Sequence, residues 1–225
     1  MIPIRDSVRT RHTPTVVIAI IIANAVLFFR ELGMSPEQLH QFIRAWGVVP
    51  SELSALLRGG NPADAITPIS SMFLHGSWLH IISNMWILWL FGDNVEDRFG
   101  HGGFLTFYVL TGLTAMIVHV VLHPASTVPT IGASGAIAGV MGAYFLLFPT
   151  ARILVLVPIF FIPFFLEVPA AFFFLLWVVI QFSSGMSALA QGSSGYGGVA
   201  FWAHVGGFAA GMLLTGFFAS VSKRR

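Results

Sequence analysis

Six runs of apolar residues, at 13–29, 77–92, 102–122, 131–148, 168–182 and 199–221, pattern the chain from end to end. Each approaches the roughly 20 residues that an α-helix needs to cross a bilayer. The composition agrees: of 225 residues, 56% are hydrophobic and 9% charged, against roughly 25% charged in an ordinary soluble domain. Mean hydropathy is +0.84. The expected class is an all-α polytopic membrane protein, one domain over 1–225, in contact with the lipid bilayer. With no cysteine, disulfides, thiolate metal sites and cysteine nucleophiles are excluded. The basic residues gather at the two ends rather than in an interleaved patch, so no nucleic-acid partner is expected.

Those terminal charges set a topology. Arg5, Arg9 and Arg11 precede the first run, and Lys223, Arg224 and Arg225 follow the last. The positive-inside rule then places 1–12 and 222–225 in the cytoplasm and demands an even number of spans. The opening has the layout of a secretory signal, but no small-x-small cleavage site follows and the run ends at Phe28-Phe29-Arg30-Glu31, so it reads as a retained first span.

The stretch 153–182 is too long for one span and contains Pro158, Pro163 and Pro169. Proline kinks helices and removes donors, so the first half is expected to be a kinked or membrane-surface lead-in to span five. Six spans result rather than seven. Glu167, its only charge, is a proton-relay candidate or a boundary residue reaching water. In the connection 30–68, Leu39, Phe42, Ile43, Trp46, then Leu53, Leu56 and Leu57, fall at helical spacing. That connection is expected to associate with the outer membrane interface. The serine- and glycine-rich stretch 183–198 predicts a mobile loop.

With the N-terminus inside, spans two, four and six begin at the outer face. His80 and Asn84 lie in the first turns of span two, Gly132-Ala133-Ser134-Gly135 opens span four, and Ala203-His204-Val205-Gly206-Gly207 opens span six. Serine is a weak nucleophile until a base accepts its proton, and histidine is the usual base near neutrality. An oxyanion formed on attack needs preorganised donors: the Ser134 backbone N–H at a helix start, with His80 and Asn84 on one face of span two. Gly135, Gly139, Gly142, Gly207 and Gly211 have the spacing that lets membrane helices approach closely.

Each motif alone has a plainer reading. Gly-x-Ser-Gly is common at helix starts, where serine caps, and a glycine stripe says only that two helices pack. His119 and His123, four apart, suit a metal pair, but no nearby carboxylate or thiolate completes a site, so no metal is expected. His75 reads as a supporting or interfacial residue before span two.

At these residues the chain resembles the rhomboid intramembrane serine proteases of the prokaryotic six-span type. Segment 73–84 (Phe-Leu-His-Gly-Ser-Trp-Leu-His-Ile-Ile-Ser-Asn) is similar to the family's entry into the second helix, whose matching histidine and asparagine line the oxyanion site. Gly92 to Gly100, carrying Glu96 and Arg98, matches its Gly-x3-Glu-x3-Gly element, and the motifs at 132–135 and 203–207 match the nucleophile and base. The resemblance implies a six-helix rhomboid bundle and a Ser134–His204 dyad. It further implies an oxyanion site of His80, Asn84 and Ser134, with structural support from Gly132, Gly135, Glu96, Arg98 and Gly207. It implies no cofactor, transmembrane proteins as substrates, a small residue before the scissile bond, loop 183–198 as a cap, and a prokaryotic cell membrane. Helix-weakening glycine or proline is expected near the cut, since a helical peptide bond is poorly exposed. Two positions depart: a Trp-Arg pair of some members is Ile66-Thr67 here, and a tyrosine that stacks on the histidine in some is Ala138. A rhomboid-like protein without activity, or a small transporter, are the competing classes; the latter calls for paired charges or internal repeats.

Overall fold

The computed structural model describes residues 1–160, 162–190 and 200–222. In chain order the elements are β1 (Ile2–Asp6), α1 (Thr15–Leu32), α2 (Pro36–Trp46), α3 (Pro50–Ala55), α4 (Thr67–Ser70), α5 (Trp78–Phe99), α6 (His101–Leu122), α7 (Ser134–Leu147), β2 (Arg152–Ile159), β3 (Ile162–Pro169), α8 (Ala170–Ala190) and α9 (Phe201–Ser222). The six long helices coincide with the six apolar runs. Helices in α1, α6, α8 and α9 are long and apolar enough to cross a membrane by length and composition. Helix α7 is equally apolar but shorter, and α5 ends in Asp93, Glu96, Asp97 and Arg98.

The burial pattern inverts that of a soluble protein. Ile22 and Val26 on α1, Val121 on α6, and Leu213 and Phe217 on α9 are exposed, while Asn24, Glu31, Asn84, Thr111 and Thr215 are buried. Apolar atoms face outward because lipid is their solvent, and polar groups turn inward to find partners. Helix α7 is the axis, buried on every side from Gly135 through Tyr144.

Glycines let its neighbours come that close. A Cβ at Gly207 would overlap the Gly135 carbonyl, one at Gly211 the Gly139 carbonyl, and one at Gly142 the Phe208 carbonyl. Helices α7 and α9 therefore touch backbone to backbone, as small-residue spacing allows.

The end of α5 ties down the start of α1. The buried Glu96 carboxylate accepts from the main-chain N–H of Val16 (2.9 Å) and Val17 (2.8 Å) and pairs with His101 Nδ1 (2.5 Å). These are orphan donors of the first turn of α1, which Pro14 as N-cap leaves unsatisfied. Asp97 accepts from the N–H groups of Arg11 and His12, and the Arg98 guanidinium lies over the Phe148 ring. In the 30–68 connection, Ser35 and Gln38 form a reciprocal capping box that starts α2, a helix with no buried residue.

Two expectations are corrected. The 153–168 stretch is not a kinked helix: Arg152–Ile159 and Ile162–Pro169 form an antiparallel hairpin, and β1 pairs with β2 to complete a three-stranded sheet in the order β1-β2-β3. β-Branched and aromatic residues favour strands, and Pro158 faces Pro163 near the hairpin tip. Glu167 is thereby an exposed strand residue rather than part of a span. The second correction is that α8 continues through Ser183 to Ala190, so the first half of the expected loop 183–198 is helical. Residues 191–198, and the basic residues Lys223, Arg224 and Arg225, lie outside the described residues.

Candidate active site

Three helix starts converge at one end of the bundle. Ser134 is the first residue of α7, His204 lies in the first turn of α9, and His80 in the first turn of α5, whose N-cap Ser77 accepts from the His80 N–H. Ser134 Oγ and His204 Nε2 are 2.7 Å apart. His204 is buried and Ser134 is half-buried, so the hydroxyl is reachable while its base is shielded.

The far side of the imidazole is held by α8. His204 Nδ1 is 2.8 Å from Gln181 Oε1, and the Trp177 ring lies 5.8 Å from the His204 ring at 32°. A carbonyl oxygen only accepts, so Nδ1 donates to it. Nε2 of the neutral ring is then the acceptor for the Ser134 hydroxyl, the state a general base requires. Trp177 and Gln181 are one turn apart and share a face of α8. Ala138 is fully buried on α7; ring support comes from another helix.

Gly132 brings the opposite wall close. Its φ of 122° lies where only glycine is at ease, and a Cβ there would sit 2.7 Å from His80 Nε2 and 3.8 Å from Asn84 Nδ2. Both α5 side chains therefore face the turn two residues before Ser134. The Gly132 N–H donates to the Ser71 carbonyl at 2.8 Å, which pins that turn.

Asn84 is oriented by a residue outside the helices. Its Nδ2 donates to His75 Nε2 at 3.0 Å, leaving the second amide proton free of that contact. His75 is almost wholly enclosed, its ring 4.9 Å from that of His80 and its main-chain N–H donating to the Glu31 carboxylate at 3.3 Å. Burial, reinforced by His80, pushes the His75 pKa down to about 3, so the ring stays neutral and remains an acceptor.

Of the expected site residues, Ser134 and His204 are in contact, His80 and Asn84 lie beside Gly132, and Gly135 and Gly207 meet at the helix crossing. Glu96 and Arg98 lie at the other end of α5, in the anchoring of α1 and Phe148. His119 and His123 stack at 4.8 Å, with His119 Nε2 3.0 Å from Thr130 Oγ1. Among the described residues no cluster of three or more His, Asp or Glu is disposed to hold a metal ion.

A rhomboid domain family model matches residues 62–221. The chain belongs to the rhomboid family. Rhomboid protein 1, mitochondrial, of Saccharomyces cerevisiae is 28% identical over 192 residues, covering 83% of this chain and 51% of the yeast protein. Rhomboid protease GluP of Bacillus subtilis is 38% identical over 90 residues, 40% of this chain and 17% of that protein. Presenilin-associated rhomboid-like protein A, mitochondrial, of Danio rerio is 32% identical over 105 residues, 44% and 27% of the two. The chain spans about half the length, or less, of these relatives. Rhomboid membership makes it an integral membrane protein of helical-bundle architecture. Relatives named for mitochondria stand beside a bacterial one, so membership does not choose the membrane.

Sequence reasoning missed Gln181, Trp177 and Glu31. Gln181 carried a signal: it is the one amide in the α8 run, and a polar side chain inside a span is costly enough to need a reason. Trp177 carried none, since an aromatic in an apolar helix is unremarked.

Proposed function

We propose that this rhomboid is an intramembrane serine endopeptidase that hydrolyses peptide bonds in or near the transmembrane segments of membrane proteins. The 2.7 Å contact between Ser134 Oγ and His204 Nε2 carries the reading, and the match to Rhomboid protease GluP supports it. Ser134 Oγ attacks the scissile carbonyl carbon while His204 Nε2 takes its proton. The tetrahedral oxyanion is met by the Ser134 N–H, the free amide proton of Asn84 and the His80 ring, donors fixed in place before the charge develops. His204 then gives its proton to the leaving amine, and water, activated by the same imidazole, releases the acyl group.

The proposal includes six spans, both termini in the cytoplasm and the site opening toward the outer face of a prokaryotic cell membrane. Six apolar helices and the terminal arginines support this orientation. Substrates carry glycine or proline near the cut and a small residue before it.

The test is cleavage of a single-span model substrate by purified protein in detergent, with Ser134→Ala and His204→Ala in parallel. Both variants are expected to be silent; turnover that survives Ser134→Ala overturns the dyad. Tags at the two ends report the topology, and an outward C-terminus overturns the six-span layout.

A further inference from the structure

The three-stranded sheet belongs to none of the chemistry above, and its geometry is unusual for a membrane bundle. Asp6 at the end of β1 is bound by Asn94 Nδ2 (2.9 Å) and the Tyr144 hydroxyl (2.5 Å), whereas the Pro3 carbonyl accepts from Trp86 Nε1 at 2.7 Å. Trp86 lies about 12 Å further up α5 than Asn94, at ~1.5 Å per residue. The sheet therefore climbs along α5 from its charged end toward its middle. Strand β2 continues that climb from Arg152, beside the ends of α7 and α8, to Ile159, a rise of roughly 25 Å. The hairpin tip thus lies alongside the middle of α5, away from its charged end.

One face of the sheet packs on the bundle through Ile153 and Val155, both fully buried. The other face changes character along its length. Near the base, Arg5, Leu154 and Glu167 form one cross-strand row, with Arg152 beside it; the next row toward the tip is Ile2, Leu156 and Phe165. Beyond it stand Ile159, Ile162 and Phe160, the last 93% exposed. At the base a cavity of about 290 Å³ is lined by Arg5, Asp6, Ser7, Val8, Arg9, Arg152, Leu154 and Glu167. None of Arg5, Arg9 and Arg152 forms an ion pair among the described residues. Asp6, by contrast, is already occupied by Tyr144 and Asn94.

We infer that this cavity binds the phosphate of an anionic phospholipid through Arg5, Arg9 and Arg152, while the acyl chains lie against Leu156, Phe165 and Phe160. Three unpaired guanidinium groups suit a phosphate diester by charge and by their paired donors. The apolar row begins directly above them, in the order in which a phospholipid presents head group and chain. Glu167 faces the same cavity and accepts from head-group hydroxyls, which favours phosphatidylglycerol over a bare phosphate. The inference rests on the proposed orientation only for the name of the leaflet, the cytoplasmic one.

Native mass spectrometry of the detergent-purified chain with added phosphatidylglycerol or phosphatidylcholine tests it. Phosphatidylglycerol is expected to remain bound and phosphatidylcholine to be lost. Each of Arg5→Gln, Arg9→Gln and Arg152→Gln is expected to weaken retention about five-fold, the equivalent of one arginine near an anionic surface. Phe165→Ser weakens it through the chain contact alone. Millimolar inorganic phosphate should not displace the lipid; if it does, the site is for a free anion. Equal retention of both lipids, or retention unchanged in all three arginine variants, overturns the inference. The three arginines are solvent-exposed, so the variants fold, and cleavage of the model substrate in detergent reports the proposed protease separately.

Discussion

Gly207 of α9 lies against the main-chain carbonyl of Gly135 on α7, with no room between them for a methyl group. Ser134 and His204, one turn or less from these glycines, are within hydrogen-bond reach because the two backbones are. Gly207→Val is expected to lose at least about 100-fold in substrate cleavage, the scale of a displacement near 1 Å at a reacting pair. It should also destabilise by about 1–3 kcal/mol through overpacking. Gly216→Ala, at a glycine of α9 with nothing within 4 Å, should leave both unchanged. Melting in detergent and cleavage of the model substrate read the two effects.

Gln181 acts through the histidine rather than on substrate. Gln181→Leu removes the acceptor that fixes His204 Nδ1–H and is expected to lower kcat by about 10- to 100-fold, a part of the 10²–10⁴ that general-base catalysis supplies. KM should stay within about two-fold, since ground-state binding does not use the tautomer. Gln181→Glu, which keeps an acceptor at that position, should recover most of the rate. A loss confined to KM, or no rescue, would show that the contact is only packing.

What could be read in the residues and what could not divide along physical lines. Runs of apolar residues have a length scale imposed by the bilayer, so six helices were legible, and terminal arginines ordered them. Ser134, His204, His80 and Asn84 were legible because polar groups in apolar helices stand out. The hairpin was not: Pro158, Pro163 and Pro169 read as helix breakers in an apolar stretch, whereas paired prolines are compatible with a strand pair whose partner, Ile2–Asp6, is distant in sequence. Long-range pairing leaves no local periodicity in a segment that is apolar throughout. Trp177 was invisible for a similar reason, being one apolar residue among many.

Glu96 shows how a polar residue inside the bundle serves folding rather than chemistry. Its two oxygens accept from consecutive N–H groups at the start of α1, and His101 adds a third contact. In Glu96→Gln the amide NH₂ faces an N–H donor, so one buried group is left unpaired. The expected cost is about 1.5–3 kcal/mol, seen as a lower melting temperature in detergent. Turnover per folded molecule should be unchanged, because Glu96 lies at the opposite end of α5 from His80. A fall in kcat at full folding would place Glu96 in the proposed mechanism instead.

His75 gives the fold a dependence on pH whose sign follows from its environment. Its pKa falls from 6.5 to about 3 on folding, so in acid the unfolded chain binds a proton that the folded ring refuses. The stability owed to neutral His75 is complete above pH 6.5 and is lost as pH falls from there toward 3. Protonation would also place a proton on Nε2, against the Asn84 amide that donates to it. The melting temperature is therefore expected to decline between pH 7 and pH 4, more steeply in the wild type than in His75→Asn, which keeps an acceptor near Asn84 without a titrating ring. Parallel slopes for the two proteins would remove His75 as the source. The same comparison made on cleavage rates should show His75→Asn retaining activity at acidic pH relative to its own neutral value, because Asn84 then keeps its orientation when the wild-type contact is being titrated.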